Sequence, residues 1–188
     1  PCRHHKRLLH IRLFAGRFLL LQRVGGIVDH MRTKEQVAKD AMAFLKQHNT
    51  GARATAGLSG QPYVSTVYFA PLPDFSIYFS TSHHTDKFRN LTLNNKAAFS
   101  VGSGPEYIEL SIRGTAHLLE GDDLEAALHA ITMRVDSPMA RWPIKAIHSF
   151  EEGGIAAFRL IPDAVIYLNL NAKEQPDSIE DYLYEIKP

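Results

Sequence analysis

Between residues 79 and 91 the chain reads FSTSHHTDKFRNL, which gathers hydroxyls at Ser80, Thr81, Ser82 and Thr85 and then cations at Lys87 and Arg89. That order suits an anion. A phosphate monoester carries nearly two negative charges at neutral pH and several acceptor oxygens. It is well held where hydroxyls, free backbone N–H groups and one or two cations converge at a helix N-terminus. Thr85 is placed to be the N-cap, with Lys87 and Arg89 in the turn that follows. Unpaired cations there oppose the helix dipole at roughly a few tenths of a kcal/mol each, and an anionic ligand removes that penalty. The plainer reading is a polar turn that caps a helix, with Lys87 and Arg89 on its solvated face. His83 and His84, at the tip of the turn, fit either acid–base chemistry or an exposed, inert pair.

Other chemistries find little support. There is no Gly-rich dinucleotide loop and no Gly-x-x-x-x-Gly-Lys pattern. No Ser-His-Asp or Cys-His arrangement has a usable motif around it. The single cysteine, Cys2, excludes an internal disulfide and a thiolate metal site, and it suits a reducing, cytoplasmic compartment. His4, His5 and His10 have no acidic or thiol partner nearby to complete a metal site. A net charge of +1 argues against a dedicated nucleic-acid binder. No apolar run approaches the ~20 residues that span a bilayer; RFLLLQRVGGIV is short and broken by Arg23 and a glycine pair.

The elements that must position the anion-binding stretch follow from periodicity. The 188 residues, 45% hydrophobic and 22% charged, are enough for one domain with a real core. Thr33-Lys34-Glu35-Gln36 is a capping box, and Val37, Ala41, Phe44, Leu45 and His48 follow at helical spacing, which predicts a helix over 33–48. Residues 52–82 read as three short strands, broken at Ser59-Gly60-Gln61-Pro62 and at Pro71-Leu72-Pro73-Asp74. A short helix is expected over 86–93, then strands KAAFSVGS and YIELSIRGTAHLLE, the second alternating Ile108, Leu110 and Ile112 against Glu109, Ser111 and Arg113. A second amphipathic helix carries Leu124, Leu128, Ile131 and Val135 on one face. A Pro-punctuated connection holding Trp142 leads to two last strands, split at Pro162-Asp163. The tail after Asn171 is polar and expected to be poorly ordered.

Strands thus come in runs rather than alternating with helices. This predicts a mainly β fold with flanking helices, an antiparallel sheet closed into a barrel. Residues 1–30 are basic with no acid before Asp29, and three readings fit them. They are a transit-like amphipathic segment, a basic arm for an anionic partner, or an extension upstream of a natural start at Met31. The expected division is an extension over 1–30, a domain over 31–171 and a tail over 172–188.

From Gly60 to Gly114 the chain resembles the pyridoxamine 5'-phosphate oxidase-like family of FMN-binding split barrels. The resemblance rests on the order and spacing of Gln61-Pro62-Tyr63, the strand Ser65 to Tyr68, Ser80-Thr81, Thr85-Asp86-Lys87 and Arg113-Gly114. In element order it extends over about Thr33 to Leu170. It implies an antiparallel split β-barrel of the FMN-binding type and a homodimer with the flavin in a cleft between subunits. By the same resemblance Thr81, Thr85 and Lys87 would hold the phosphate, with Ser80, Ser82 and Arg89 as additions. Ser65, Thr66, Val67 and Tyr68 would face the ring edge and the ribityl chain, while Glu109 and Tyr167 would reach the flavin of the other subunit.

The departures narrow the reading. The oxidase itself has an arginine where Ser65 stands and a lysine where Ala70 stands, and its C-terminal substrate signature is missing from VIYLNLNAKEQPDS. Oxidation of pyridoxamine phosphate is therefore not expected. What the resemblance implies is an FMN-dependent oxidoreductase acting on a small molecule, with reduced nicotinamide as the generic donor and no obligatory protein acid or base. The alternative is a low-turnover stress-response module that binds flavin, deazaflavin or haem. A third reading, resting on residues 3–23, is a basic-armed interaction protein.

Overall fold

Thr33 starts the first helix as its sequence predicts. Its hydroxyl accepts from the Gln36 amide, and the Gln36 side chain accepts from the Thr33 amide at 2.9 Å, a complete capping box. The computed structural model describes residues 33–102, 107–135, 154–171 and 183–186. The basic segment 1–30, Trp142 and the Pro-rich connection around it lie outside the described residues.

The elements run α1 (Lys34–Gln47), β1 (Thr50–Ala56), β2 (Pro62–Pro71), β3 (Ile77–Ser82), α2 (Asp86–Leu93), β4 (Lys96–Gly102), β5 (Ile108–Leu118), α3 (Gly121–Thr132), β6 (Ile155–Asn169) and β7 (Leu183–Ile186). All strand pairs are antiparallel, in the order β3-β2-β1-β4-β5-β6-β7. A further pairing of β3 with β6 closes the first six strands into a barrel, and β7 adds to β6 beyond it.

Closure places Phe69, Phe79, Phe99, Phe158, Leu110, Ile112 and Leu160 inside. Phe79 stacks on Phe158 with centroids 5.5 Å apart, and Phe69 meets Phe99 edge-on at 5.1 Å. Each such side chain contributes about 1.5–3 kcal/mol by leaving water. Val37, Ala41, Phe44 and Leu45 of α1 belong to the same core. The predicted face of α3 packs inward, with Ile131 and Val135 buried, Leu124 and Leu128 half-buried, and Ala127 buried between them. The Arg134 guanidinium donates to the carbonyls of Lys46 (2.8 Å) and His48 (2.6 Å), so a cation from beyond α3 satisfies the C-terminal end of α1.

Two expectations need correction. The last two predicted strands are one 15-residue strand, β6. Pro162 does not break it because the register with β5 shifts between Arg113 and Gly114, leaving Asp163 as the extra residue of a bulge. Lys96 pins that bulge, its ammonium lying 2.8 Å from the Thr115 hydroxyl and 3.1 Å from Asp163. The tail is also not wholly loose, since residues 183–186 form β7 along Val165–Leu168.

Gly114 sits where β5 approaches the bulge so closely that a Cβ would strike the Ile161 carbonyl, its carbon 2.8 Å away. Gly114→Ala should therefore lower stability by about 1–3 kcal/mol in urea denaturation, the cost of overpacking against backbone that cannot yield. An unchanged midpoint would mean that the bulge is soft.

Candidate oxyanion and cofactor site

Strand alternation sorts the predicted residues onto two faces. On β3, Ile77, Phe79 and Thr81 face the barrel interior, and Ser80 and Ser82 face away. On β2, Ser65 and Val67 are on the inward side with Phe69, while Thr66 and Tyr68 are on the other. On β5, Glu109 alternates with the buried Leu110 and points outward, where its Oε1 accepts from the hydroxyls of Ser100 and Ser111, both at 2.9 Å. Tyr167 pairs with Leu110 in register and faces inward. It is 2% exposed, with its ring 6.2 Å from Phe44 and 6.4 Å from Tyr184. Within its own chain Tyr167 is a member of the core cluster. Ser80 and Ser82 are turned away from Thr81, and Ser82 Oγ instead accepts from the His84 amide.

What remains converges at the start of α2. Thr85 is the N-cap and accepts from the Phe88 amide at 3.3 Å. Its own proton goes to the Ser82 carbonyl at 2.8 Å, so across the 3.1 Å to Thr81 it is Thr81 that donates. The Thr85 hydroxyl is thus fully committed to the turn. Its part is to present the N-terminus of α2, whose first amides have no intrahelical partner. Arg89 points to solvent, its guanidinium 2.8 Å from Asp86 in an exposed pair.

Lys87 is different. Burial, and then repulsion from Arg53, hold its ammonium below the usual lysine range. Arg53 had no part in the predicted site. It lies on the interior face of β1 with Gly51 and Thr55 and is 0% exposed. One Nη2 proton goes to Ser65 Oγ at 3.2 Å, and the guanidinium carbon sits 4.8 Å from the centroid of Phe79. Nε and Nη1 have no partner. Burial draws its pKa down to about 10, which leaves it charged at neutral pH. No carboxylate among the described residues pairs with Arg53 or Lys87. The signal was present in GARATA, where strand alternation puts an arginine on the same face as Gly51 and Thr55.

The result is a buried cation, a half-exposed one and an open helix N-terminus, with no counter-anion among the described residues. That set fits a phosphate monoester, because orphaned donors at a buried cation need acceptors. Among the described residues no group of histidines, cysteines and carboxylates could hold a metal. No described helix is long and apolar enough to cross a membrane.

A closed six-stranded antiparallel barrel with helices flanking it defines the class as a split barrel. The sequence pattern described as "Pyridoxamine 5'-phosphate oxidase" matches residues 37–160, more than half of the chain, and the chain belongs to that family as a divergent member. Comparison with curated proteins finds no match. Solved structures share the fold. A haem binding protein from Mycobacterium smegmatis is 22% identical with a TM-score of 0.58, over 77% of this chain and 59% of that one. ChuZ from Campylobacter jejuni is 18% identical with a TM-score of 0.62, over 83% and 61% respectively. A Clostridium acetobutylicum protein of the pyridoxinephosphate oxidase family, related to general stress protein 26 of Bacillus subtilis, is 14% identical with a TM-score of 0.56, over 81% and 95%.

Because the Thr85 hydroxyl serves the turn, Thr85→Ala should cost about 1 kcal/mol of stability by urea denaturation, and Thr85→Ser should retain most of it. Equal losses in the two variants would argue against the cap.

Proposed function

We propose that this chain is an FMN-dependent oxidoreductase acting on a small organic molecule, with reduced nicotinamide as the generic electron donor. The observation that carries the reading is the pair Arg53 and Lys87, without a counter-anion among the described residues, beside the N-terminus of α2 in a barrel of this family. When bound, FMN supplies the hydride or electron transfer. The chain's part is to hold and orient. Arg53, Lys87 and the first amides of α2 take the phosphate, while Thr81 donates to Thr85 and so supports the turn that presents those amides. Ser65 holds the Arg53 fork in place, and Val67 lies further along the same face of β2.

We further infer a homodimer with the cofactor near the subunit interface. The outer face of the sheet supports this: a register row of Thr66, Ala52, Ser100, Ser111 and Ile166 crosses β2, β1, β4, β5 and β6 without a charged side chain before it reaches Glu185 on β7. Val64 beside it is 66% exposed. Glu109 on that same outer face is placed to reach a ligand of the other subunit.

The alternative, a low-turnover haem- or deazaflavin-binding module, draws support from the haem binding protein of the same fold, since haem propionates are oxyanions too. An absorbance spectrum of the purified protein, with and without added FMN, separates the readings. Flavin bands near ~370 and ~450 nm that persist through gel filtration are expected. A Soret band after haem addition, with no uptake of FMN, would favour the alternative. In the same titration Lys87→Ala, alone or with Thr85→Ala, should weaken FMN binding by about tenfold or more, as a charged hydrogen bond is lost.

A further inference from the structure

The outer face of the sheet carries two opposite charges that no described side chain answers. On β5 the outward positions run Glu109, Ser111 and Arg113. Arg113 is exposed and has neither a hydrogen bond nor an ion pair among the described residues. Its cross-strand neighbours, Ala98 and Ala164, carry no charge. Glu109 is half-buried, and the hydroxyls of Ser100 and Ser111 both donate to the same oxygen, Oε1. Its Oε2 has no donor among the described residues, and its own cross-strand neighbours are Gly102 and Leu168. A carboxylate is thus held in one orientation with half of its acceptor capacity unused.

The two charges stand at equal distances either side of Ser111, in a face of short side chains. Ala52, Ser100 and Ser111 form the middle row, and Ala54 and Ala98 lie on the Arg113 side of it. The described helices pack chiefly on the other strands: α1 on β2 and β7, α2 on β1 and β3, α3 on β2, β3 and β6.

A two-fold axis lying along that middle row lays the face on a second copy of itself. Position along each strand is then reversed about the row, while each strand keeps its own counterpart. Glu109 falls opposite the partner's Arg113, and Arg113 opposite the partner's Glu109. At about 3.4 Å per residue each charge lies about 7 Å from the axis. Face-packed sheets stand about 10 Å apart, a gap that a glutamate and an arginine bridge together. Leu168 meets the partner's Ala164 by the same operation, so a larger side chain falls on a smaller one. A two-fold axis along β5 itself would set Glu109 against its own copy, like charge on like.

We propose that this chain docks on a second copy through the outer face of β1, β4 and β5, about a two-fold axis along the Ala52–Ser100–Ser111 row, with two Glu109–Arg113 ion pairs across the axis fixing the register. This rests on the homodimer reading above and gives it an orientation and a selectivity for self. Because Ser100 and Ser111 hold the carboxylate beforehand, the pair loses less side-chain entropy on forming. Charges so placed decide which arrangement forms more than how tightly it holds.

Sedimentation velocity of the full chain, with and without FMN, is the test. The wild type should be a dimer at micromolar concentration. Glu109→Arg sets guanidinium against guanidinium and Arg113→Glu sets carboxylate against carboxylate, so each should raise the dimer dissociation constant about a hundredfold or more. Mixed in equal amounts, the two variants should recombine, because their heterodimer regains both opposite-charge pairs. The double variant Glu109→Arg with Arg113→Glu should dimerise within about tenfold of the wild type. If Glu109→Arg fails to fold, Arg113→Glu, at an exposed position, reads the same repulsion. A wild-type dimer whose strength neither variant changes overturns this axis and leaves the homodimer reading standing. A wild type that stays monomeric with and without FMN overturns both. Variants that dissociate and do not recombine on mixing overturn the ion pairing.

Discussion

A positive charge that cannot reach water governs this barrel mouth. Arg53 is enclosed on every side, spends one proton on Ser65 and lays its cationic face over Phe79. Its presence shapes its neighbours: Lys87 is disfavoured by it, and Ser65 serves it. Phe79 contributes to the aromatic core on one side, where it stacks on Phe158, and meets the charge on the other. The inside of the barrel therefore changes from hydrocarbon to electropositive within a single strand, between Phe79 and Thr81.

Such a site demands a stiff frame, and β6 supplies it. This strand pairs with β3 from Ile155 to Leu160 and with β5 from Phe158 onward, and the overlap of the two pairings is what turns a sheet into a barrel. Thr81 pairs with Ala156 along it, so the hydroxyl at the site is anchored to the strand that closes the fold. The capped turn between Ser82 and Asp86 then sets where α2 begins. Position passes from β6 to β3 to the helix start, and the site inherits its rigidity in that order.

Much of this was legible in the sequence because the signals were local. The capping box at Thr33, the alternation of β5 and the N-cap at Thr85 each depend on residues a few positions apart. What escaped depended on partners far along the chain. Pro162 read as a break because proline ends most strands; a bulge opposite Gly114, some fifty residues earlier in the chain, accommodates it. The four residues of β7 have meaning only against β6. Tyr167 is assigned to a ligand by resemblance alone; its place in the core beside Leu110 shows only in the register. Arg53 was passed over because one arginine in a short strand carries no local pattern. Its meaning lies in Ser65 directly opposite on β2, the position at which the oxidase itself has an arginine. The cation absent from one strand is present on its neighbour.

The shortest strand has a consequence beyond this site. Along Val165–Leu168 the outer edge of β6 is paired only by β7. An uncovered edge of that kind, with its row of free amides and carbonyls, is a template on which a strand of another molecule can grow. The four residues Leu183–Ile186 occupy that template. They cover that stretch of β6 and pass the edge to a strand only four residues long, which gives a growing sheet little length to copy.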